Sequence, residues 1–483
     1  MEDELTAGRL ELSPEAMRAL GYRAVDLLVE RHAGERALPV TRHTPRGLLA
    51  ARLAEPPPEG PSDPLAVLAR LARDVVPFQG HIGHPRFFAF VPSPSNFVGV
   101  VADLLASGLN PFCGTWLEGP GPAEVELVTV DWLRRLCGLP EVAGGLFVSG
   151  GSVANLTALV VAREERLAAP IERGTAYLSD QAHSSVERAL RVLGLPAANV
   201  RKLPADDGWR LPLPALRAAL AADRAAGLSP FCVVASAGTT NTGAVDPLPE
   251  LADLCAEQLL WLHVDGAYGA AAALSARGRA TLAGLERADS LSLDPHKWLF
   301  QPIECGCVLL RDGGLLRQTF HVLPEYLQDV ERGLEEVNFC DLGLQLTRGF
   351  RALKLWMSLQ VFGLAAFRQA IERGIALAER AEGLLRAEPE RWEVVSAAAL
   401  GIVCFRWAPA GRSEAALERA NRGVTDALLE DGTAFASSTR LGRRTVLRLC
   451  TINPRTTEED LRWTLGRMAA AAERAAEGEE ETR

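Results

Sequence analysis

At 483 residues, 48% hydrophobic and 23% charged, the chain has the composition of a soluble globular protein and is too long for one simple core, so about three domains are expected. A formal net charge of −10 provides no basic face for nucleic acid or for an anionic membrane surface, and neither is expected as a partner. The nine cysteines are odd in number and lack repeated CxxC spacing, which fits reduced thiols, and the acidic start MEDELTAGRLELS lacks the parts of a secretory signal, so a cytoplasmic location is expected.

In chain order, Leu12, Ala16, Leu20, Val25 and Leu28 recur at helical spacing, and LAVLARLARDVV resumes that pattern after the Pro-rich connector AEPPPEGPSDP. Residues 1–94 are therefore predicted to form a helical segment that leans on another surface. From about residue 125, seven short apolar runs alternate with amphipathic stretches: LFVS, TAYLS, NVRKLP, FCVVAS, LLWLHV, DSLSL and GCVLLR. Apolar strands interleaved with helices predict an α/β domain over residues 95–354, with a mainly parallel seven-stranded sheet covered on both faces. The uncharged window Ala225 to Val245 is long enough to span a bilayer, but it contains the turn-forming SAGTTNTG and reads as a buried strand plus loop. A long helical run from ALKLW to AEGLL then opens a smaller α+β domain over residues 355–483, with strands in EVVSAA, LGIVCFRW and RTVLRLCTI around the helix AALERANRGVTDALL.

In such sheets, ligands bind beyond the carboxyl ends of the strands, and that is where the informative residues fall. Only three lysines occur, Lys202, Lys297 and Lys354, and Lys297 ends an apolar stretch in DPHKW. An amine can lose its proton and form a Schiff base with an aldehyde, whereas a guanidinium cannot. Gly150, Gly151 and Ser152 lead from a strand into a helix whose first amides can hold a phosphate. Asp265 ends the strand LLWLHV, and a carboxylate there can keep a heterocyclic nitrogen protonated; the small Gly266 and Ala267 leave room for a flat ring. His183 precedes a capping box expected from Ser184 and Glu187, and its imidazole can stack on such a ring or transfer a proton. A phosphate cradle, an acid, an imidazole and an amine together fit pyridoxal 5′-phosphate. The rival reading, a metal hydrolase built from His81, His84, His263 and Asp265, leaves Lys297 without a purpose; no metal site is expected.

The motifs SGGSVAN, SDQAHSSVERA, HVDGAYGA and DPHKW, in this order, resemble those of the group II pyridoxal-phosphate-dependent decarboxylases, the aromatic-L-amino-acid decarboxylase family. The likeness runs from HPRFFAFVPS to VLRLCTINPRT and implies a fold-type I enzyme, a homodimer with sites near the interface, and release of an amine and carbon dioxide from an L-amino acid. It implies that Lys297 holds the cofactor as a Schiff base with His296 and Asp294 beside it, and that Asp265 pairs with the ring nitrogen. Ala267 and His183 are implied to sandwich the ring, Gly151 and Ser152 to hold the phosphate, and Thr240 to lie beside the cofactor. Tyr326 matches a mobile-loop tyrosine that protonates the substrate carbon.

Phe90, Pro92, Ser93, Phe112 and Trp116 resemble an aromatic-substrate lining, which favours tryptophan, phenylalanine, tyrosine or DOPA as substrate. Thr347 and Gly114 replace residues of different size in well-known family members, and Asp294 stands where animal members carry asparagine. Arg448 matches an arginine at the edge of the site, able to meet a carboxylate or to pair within the fold. Two other outcomes belong to the same scaffold: decarboxylation of a non-aromatic amino acid such as glutamate, and aldehyde formation, which the resemblance associates with loss of the loop tyrosine and against which Tyr326 and His183 argue.

Overall fold

The computed structural model describes residues 10–92, 94–322 and 335–477. All seven predicted strands form, as β1 (Gly144–Val148), β2 (Gly174–Ser179), β3 (Val200–Leu203), β4 (Ser229–Ser236), β5 (Trp261–Asp265), β6 (Ser290–Leu293) and β7 (Gly306–Leu310). They make one sheet in the order β1-β7-β6-β5-β4-β2-β3, in which only β7 runs antiparallel to its neighbours. The apolar runs in the sequence have their cause here: β2, β6 and β7 are buried at every position, because helices cover both faces. Helix α1 (Gly151–Arg166) crosses one face, with Ala154, Ala158, Leu159, Val161 and Ala162 in the core beneath it. Helix α2 (Ser184–Val192) follows β2 and packs Val186, Ala189 and Leu190 into the same core.

The uncharged window resolves into β4 and a turn closed by the Ala237–Val245 bridge, so its hydrophobicity is that of a central strand. Among the described residues, no helix is long and apolar enough to cross a membrane. All nine cysteines are free thiols and buried.

In the C-terminal part, β8 (Trp392–Ala399), β9 (Ile402–Trp407), β10 (Ser437–Leu441) and β11 (Arg444–Cys450) form an antiparallel sheet ordered β10-β11-β9-β8. Helices Glu414–Asp431 and Glu458–Glu477 share a core with it that also takes in Phe88 from the N-terminal part. Phe88 donates its N–H to the Phe435 carbonyl at 2.7 Å and accepts from Cys450 N–H at 3.0 Å, so the N-terminal stretch leans on this smaller sheet.

Two expectations change. The predicted single helical run from ALKLW is interrupted: Ala352–Arg386 bends at Gly363, whose φ of 71° lies in the left-handed region that glycine adopts without penalty. The strand β10 went unread because its sequence, SSTRL, is polar; it is an edge strand with alternately exposed side chains, so no apolar run marks it.

Candidate active site

The parallel strands bring loops that are far apart in sequence to one edge of the sheet. They enclose a cavity of about 430 Å³ lined by Gly151, Ser152, His183, Thr240, Asp265, Ala267, Asp294, His296 and Lys297 among others, so every candidate cofactor residue lies in one place.

Lys297 follows β6 in a short turn, where its N–H donates to the Asp294 carbonyl at 2.9 Å. The next residue, Trp298, is fully buried and stacks on Tyr268 with ring centroids 5.2 Å apart, a contact worth about 0.5–1.5 kcal/mol beyond its burial. That anchor holds the lysine stem at the cavity wall. Lys297 Nζ lies 3.0 Å from Asp294 Oδ2, while Asp294 Oδ1 is buried and has no hydrogen-bond partner. The other two lysines are committed elsewhere: Lys202 pairs with Glu187 on the surface, and Lys354 Nζ is 2.8 Å from Asp103.

His296 accepts the Cys305 N–H at Nδ1, 3.1 Å away. Burial pushes its imidazolium below the usual histidine value, with the Asp294 carboxylate acting in the opposite direction. Asp265, at the end of β5, accepts three hydrogen bonds: from Ala267 N–H at 3.2 Å, from Ser292 Oγ at 3.2 Å and from Asn155 Nδ2 at 3.0 Å. These three donors fix the orientation of the carboxylate.

The expected capping box at Ser184 and Glu187 does not form. The N-cap of α2 is His183 itself, whose Nδ1 accepts the Ser185 N–H at 3.2 Å and lies 2.8 Å from Ser185 Oγ, and Glu187 turns to Lys202 instead. An imidazole nitrogen thus does the work usually done by a serine or aspartate oxygen.

The cradle at the start of α1 fits a bound phosphate. Intrahelical bonding begins with the Val153 and Ala154 amides, both 3.0 Å from the Gly150 carbonyl, which leaves the Gly151 and Ser152 amides as the free first donors of a sixteen-residue helix. A Cβ at Gly151 would lie 2.9 Å from Ala267 Cβ and 3.0 Å from Asp294 Oδ2, so any side chain there would fill the cavity. Pyridoxal phosphate is thereby matched at its phosphate, ring-nitrogen and aldehyde ends.

The candidate substrate residues are arranged differently. None of Phe90, Pro92, Phe112, Trp116, Thr347 and Arg448 is among the residues lining the cavity. Phe90 is 59% exposed and meets Phe435 edge-on at 5.7 Å. Phe112 is half-buried, and a Cβ at Gly114 would come within 2.5 Å of its ring, so the small residue makes room for it. Trp116 is half-buried, Pro92 is buried and Thr347 is exposed. Arg448 is buried and used by the fold: Nη1 donates to the Phe90 carbonyl at 2.7 Å and to Ser437 Oγ at 3.1 Å, Nε donates to the Asn241 carbonyl at 3.2 Å, and Nη2 has no partner. Ser93 and Tyr326 lie outside the described residues.

The histidines of the rival metal reading are separated. His81 lines a second cavity, His84 bonds to the Arg36 carbonyl at 3.3 Å, and His263 is enclosed beneath Asp265. Among the described residues no group of three or more His, Cys, Asp or Glu is placed to hold a metal ion. Sequence reading passed over Asn155, although it lies in the quoted motif SGGSVAN, and it treated His263 only as a metal candidate.

The model of the pyridoxal-dependent decarboxylase conserved domain matches residues 49–408. An aromatic-L-amino-acid decarboxylase of Bacillus atrophaeus is 49% identical over 466 residues, covering 96% of this chain and 97% of its own. Tryptophan decarboxylase 1 of Oryza sativa subsp. japonica is 34% identical over 462 residues, with 90% of each chain covered. Among solved structures, Oryza sativa TDC with PLP and tryptamine superposes with a TM-score of 0.91 at 32% identity, over 96% of this chain and 99% of that one. With the cavity, its lysine and its phosphate cradle, these matches establish that the chain belongs to the group II pyridoxal-phosphate-dependent decarboxylases, in the aromatic-L-amino-acid decarboxylase family.

Proposed function

We propose that this protein decarboxylates an aromatic L-amino acid to the corresponding amine and carbon dioxide. The observation that carries the reading is a single cavity in which Lys297, the one lysine lining it, meets the carboxylate Asp265, the imidazole of His183 and the free helix amides at Gly151 and Ser152. The aromatic choice is supported by the relative from Bacillus atrophaeus and by the rice enzyme holding tryptamine.

Bound pyridoxal phosphate supplies an aldehyde for the substrate amine and a ring that takes up the electron pair left on the α-carbon as carbon dioxide departs. The chain's own residues do the rest. The Gly151 and Ser152 amides would hold the phosphate, and the Asp265 carboxylate, fixed by its three donors, would pair with the protonated ring nitrogen. Ala267 and His183 would bound the ring, Thr240 would lie beside it, and Lys297, next to His296, would hold the cofactor through its aldehyde. The Asp294 carboxylate lies 3.0 Å from the Lys297 amine and would help to position it. The Tyr326 hydroxyl donates the proton that the α-carbon takes up, which yields an amine and not an aldehyde.

The enzyme is a homodimer in this reading. Leu104 and Leu109 on helix Phe97–Leu109 are 60% and 71% exposed, and Val361 and Phe362 on the helix packed against it are 60% and 46% exposed. Covering these side chains removes apolar surface from water. The position of Phe90, Phe112 and Thr347 outside the cavity fits a substrate pocket completed by a second copy.

A panel of L-amino acids, followed for carbon dioxide, amine and aldehyde together, tests the substrate reading. Turnover of tryptophan, phenylalanine, tyrosine or DOPA to amine is expected; preference for glutamate or aspartate, or aldehyde as the main product, would overturn it. Sedimentation equilibrium of the holoenzyme checks the dimer.

A further inference from the structure

Behind Asp265 and His183 lies a chain of buried polar side chains that the reaction as described does not use. Asn155 and His263 are both fully buried, and His263 shares a strand face with Asp265 because it precedes it by two residues. Asn155 Nδ2 has two acceptors, Asp265 Oδ2 at 3.0 Å and Ser185 Oγ at 3.1 Å. The reverse amide orientation would set Asn155 Oδ1 against the Asp265 carboxylate, so Oδ1 faces His263 Nε2 at 3.0 Å, and that nitrogen must carry a hydrogen.

Burial pushes the His263 imidazolium down to about 4, so near neutral pH the ring holds one proton, on Nε2. Its Nδ1 then accepts from Ser290 Oγ at 2.8 Å, and Ser290 Oγ in turn accepts from Trp261 Nε1 at 2.7 Å. On the other branch, Ser185 Oγ accepts from Asn155 and donates to His183 Nδ1 at 2.8 Å. His183 Nδ1 is also an acceptor for the Ser185 N–H, which leaves its hydrogen on Nε2. From Trp261 Nε1 to His183 Nδ1 each donor meets an acceptor in one consistent direction.

We infer that Asn155, oriented by His263, is a positioning residue for the cofactor site: it fixes the Asp265 carboxylate toward the ring nitrogen and, through Ser185, sets the tautomer in which His183 presents Nε2–H. This rests on pyridoxal phosphate occupying the cavity as proposed above. A residue that served only as filler would need volume at this place but not the direction of its amide.

Two measurements test the relay. In the wild-type holoenzyme labelled with ¹⁵N-histidine, His183 and His263 are expected to show protonated Nε2 and bare Nδ1; a protonated Nδ1 on either ring would overturn the assignment. In Asn155→Leu, cofactor affinity is expected to fall roughly tenfold to a hundredfold, the scale of a lost hydrogen bond to a charged group, and the His183 signals to move. His263→Gln, which keeps a donor for Asn155 Oδ1, should retain most of the affinity that His263→Leu loses, whereas a filler role predicts equal losses. Unchanged affinity in Asn155→Leu, or no difference between the two His263 variants, would sink the inference. A wild-type chain that takes up no pyridoxal phosphate would instead refute the functional reading, and the histidine spectra stand even where a variant fails to fold.

Discussion

Replacing Asp265 by asparagine removes one charge at nearly constant volume, and its consequences can be worked out from the contacts. The carboxylate accepts from Ala267 N–H and Ser292 Oγ on one oxygen and from Asn155 Nδ2 on the other. An amide has one oxygen, so its NH₂ must face either Asn155 Nδ2 or the Ala267 and Ser292 donors, and a donor facing a donor there costs about 1–3 kcal/mol of stability. The larger loss is catalytic. A neutral amide does not keep the ring nitrogen protonated, and losing a preorganised electrostatic partner of this kind costs on the order of 10²–10³ in turnover, about 3–4 kcal/mol. The assay is steady-state amine formation at saturating pyridoxal phosphate, with cofactor content measured on the same sample and a thermal melt alongside. Asp265→Asn should load cofactor at saturation, melt slightly lower and turn over at under one hundredth of the wild-type rate. Turnover within about threefold of wild type at full cofactor loading would refute the electrostatic role.

Borohydride reduction of the holoenzyme followed by peptide mapping should place the pyridoxyl group on Lys297 alone; a label on Lys202 or Lys354 would contradict their ion pairs with Glu187 and Asp103. Tyr326→Phe should leave cofactor binding intact, slow amine formation and divert product to aldehyde, ammonia and peroxide, so an unchanged amine yield without peroxide would assign the proton to another group, His183 foremost. The Glu126–Arg348 pair is 1% exposed on both sides, and Glu126 Oε1 also accepts the Phe147 N–H at 2.8 Å at the sheet edge. Arg348→Met should therefore destabilise the fold by roughly 3–5 kcal/mol in chemical denaturation, since it strands a buried carboxylate, and a change below about 1 kcal/mol would show that Glu126 finds another partner.

The sequence by itself determined the seven strands of the large sheet, because strands buried on both faces must be apolar throughout, and it marked the residues at their carboxyl ends through motifs whose order survives as local chain. Lys297, Asp265, His183 and the Gly151–Ser152 turn were legible for that reason: each side chain type is chemically restrictive at a strand end. Where burial does not impose a pattern, the sequence was silent, as at the polar edge strand β10 and at Gly363, which looks like any helical glycine until its backbone is seen. Tertiary structure alone decided which distant groups meet. Asn155 lies 110 residues from Asp265, and no periodicity connects them; only the crossing of α1 over β5 turns an ordinary asparagine into the partner of a carboxylate, a serine and a histidine at once. The same holds for Arg448, whose guanidinium suits a substrate carboxylate as readily as a backbone carbonyl, until the fold spends it on Phe90 and Asn241. Hydrogen-bond direction and long-range contact are properties of the folded chain, and they separate residues that face the cavity from those that hold it in shape.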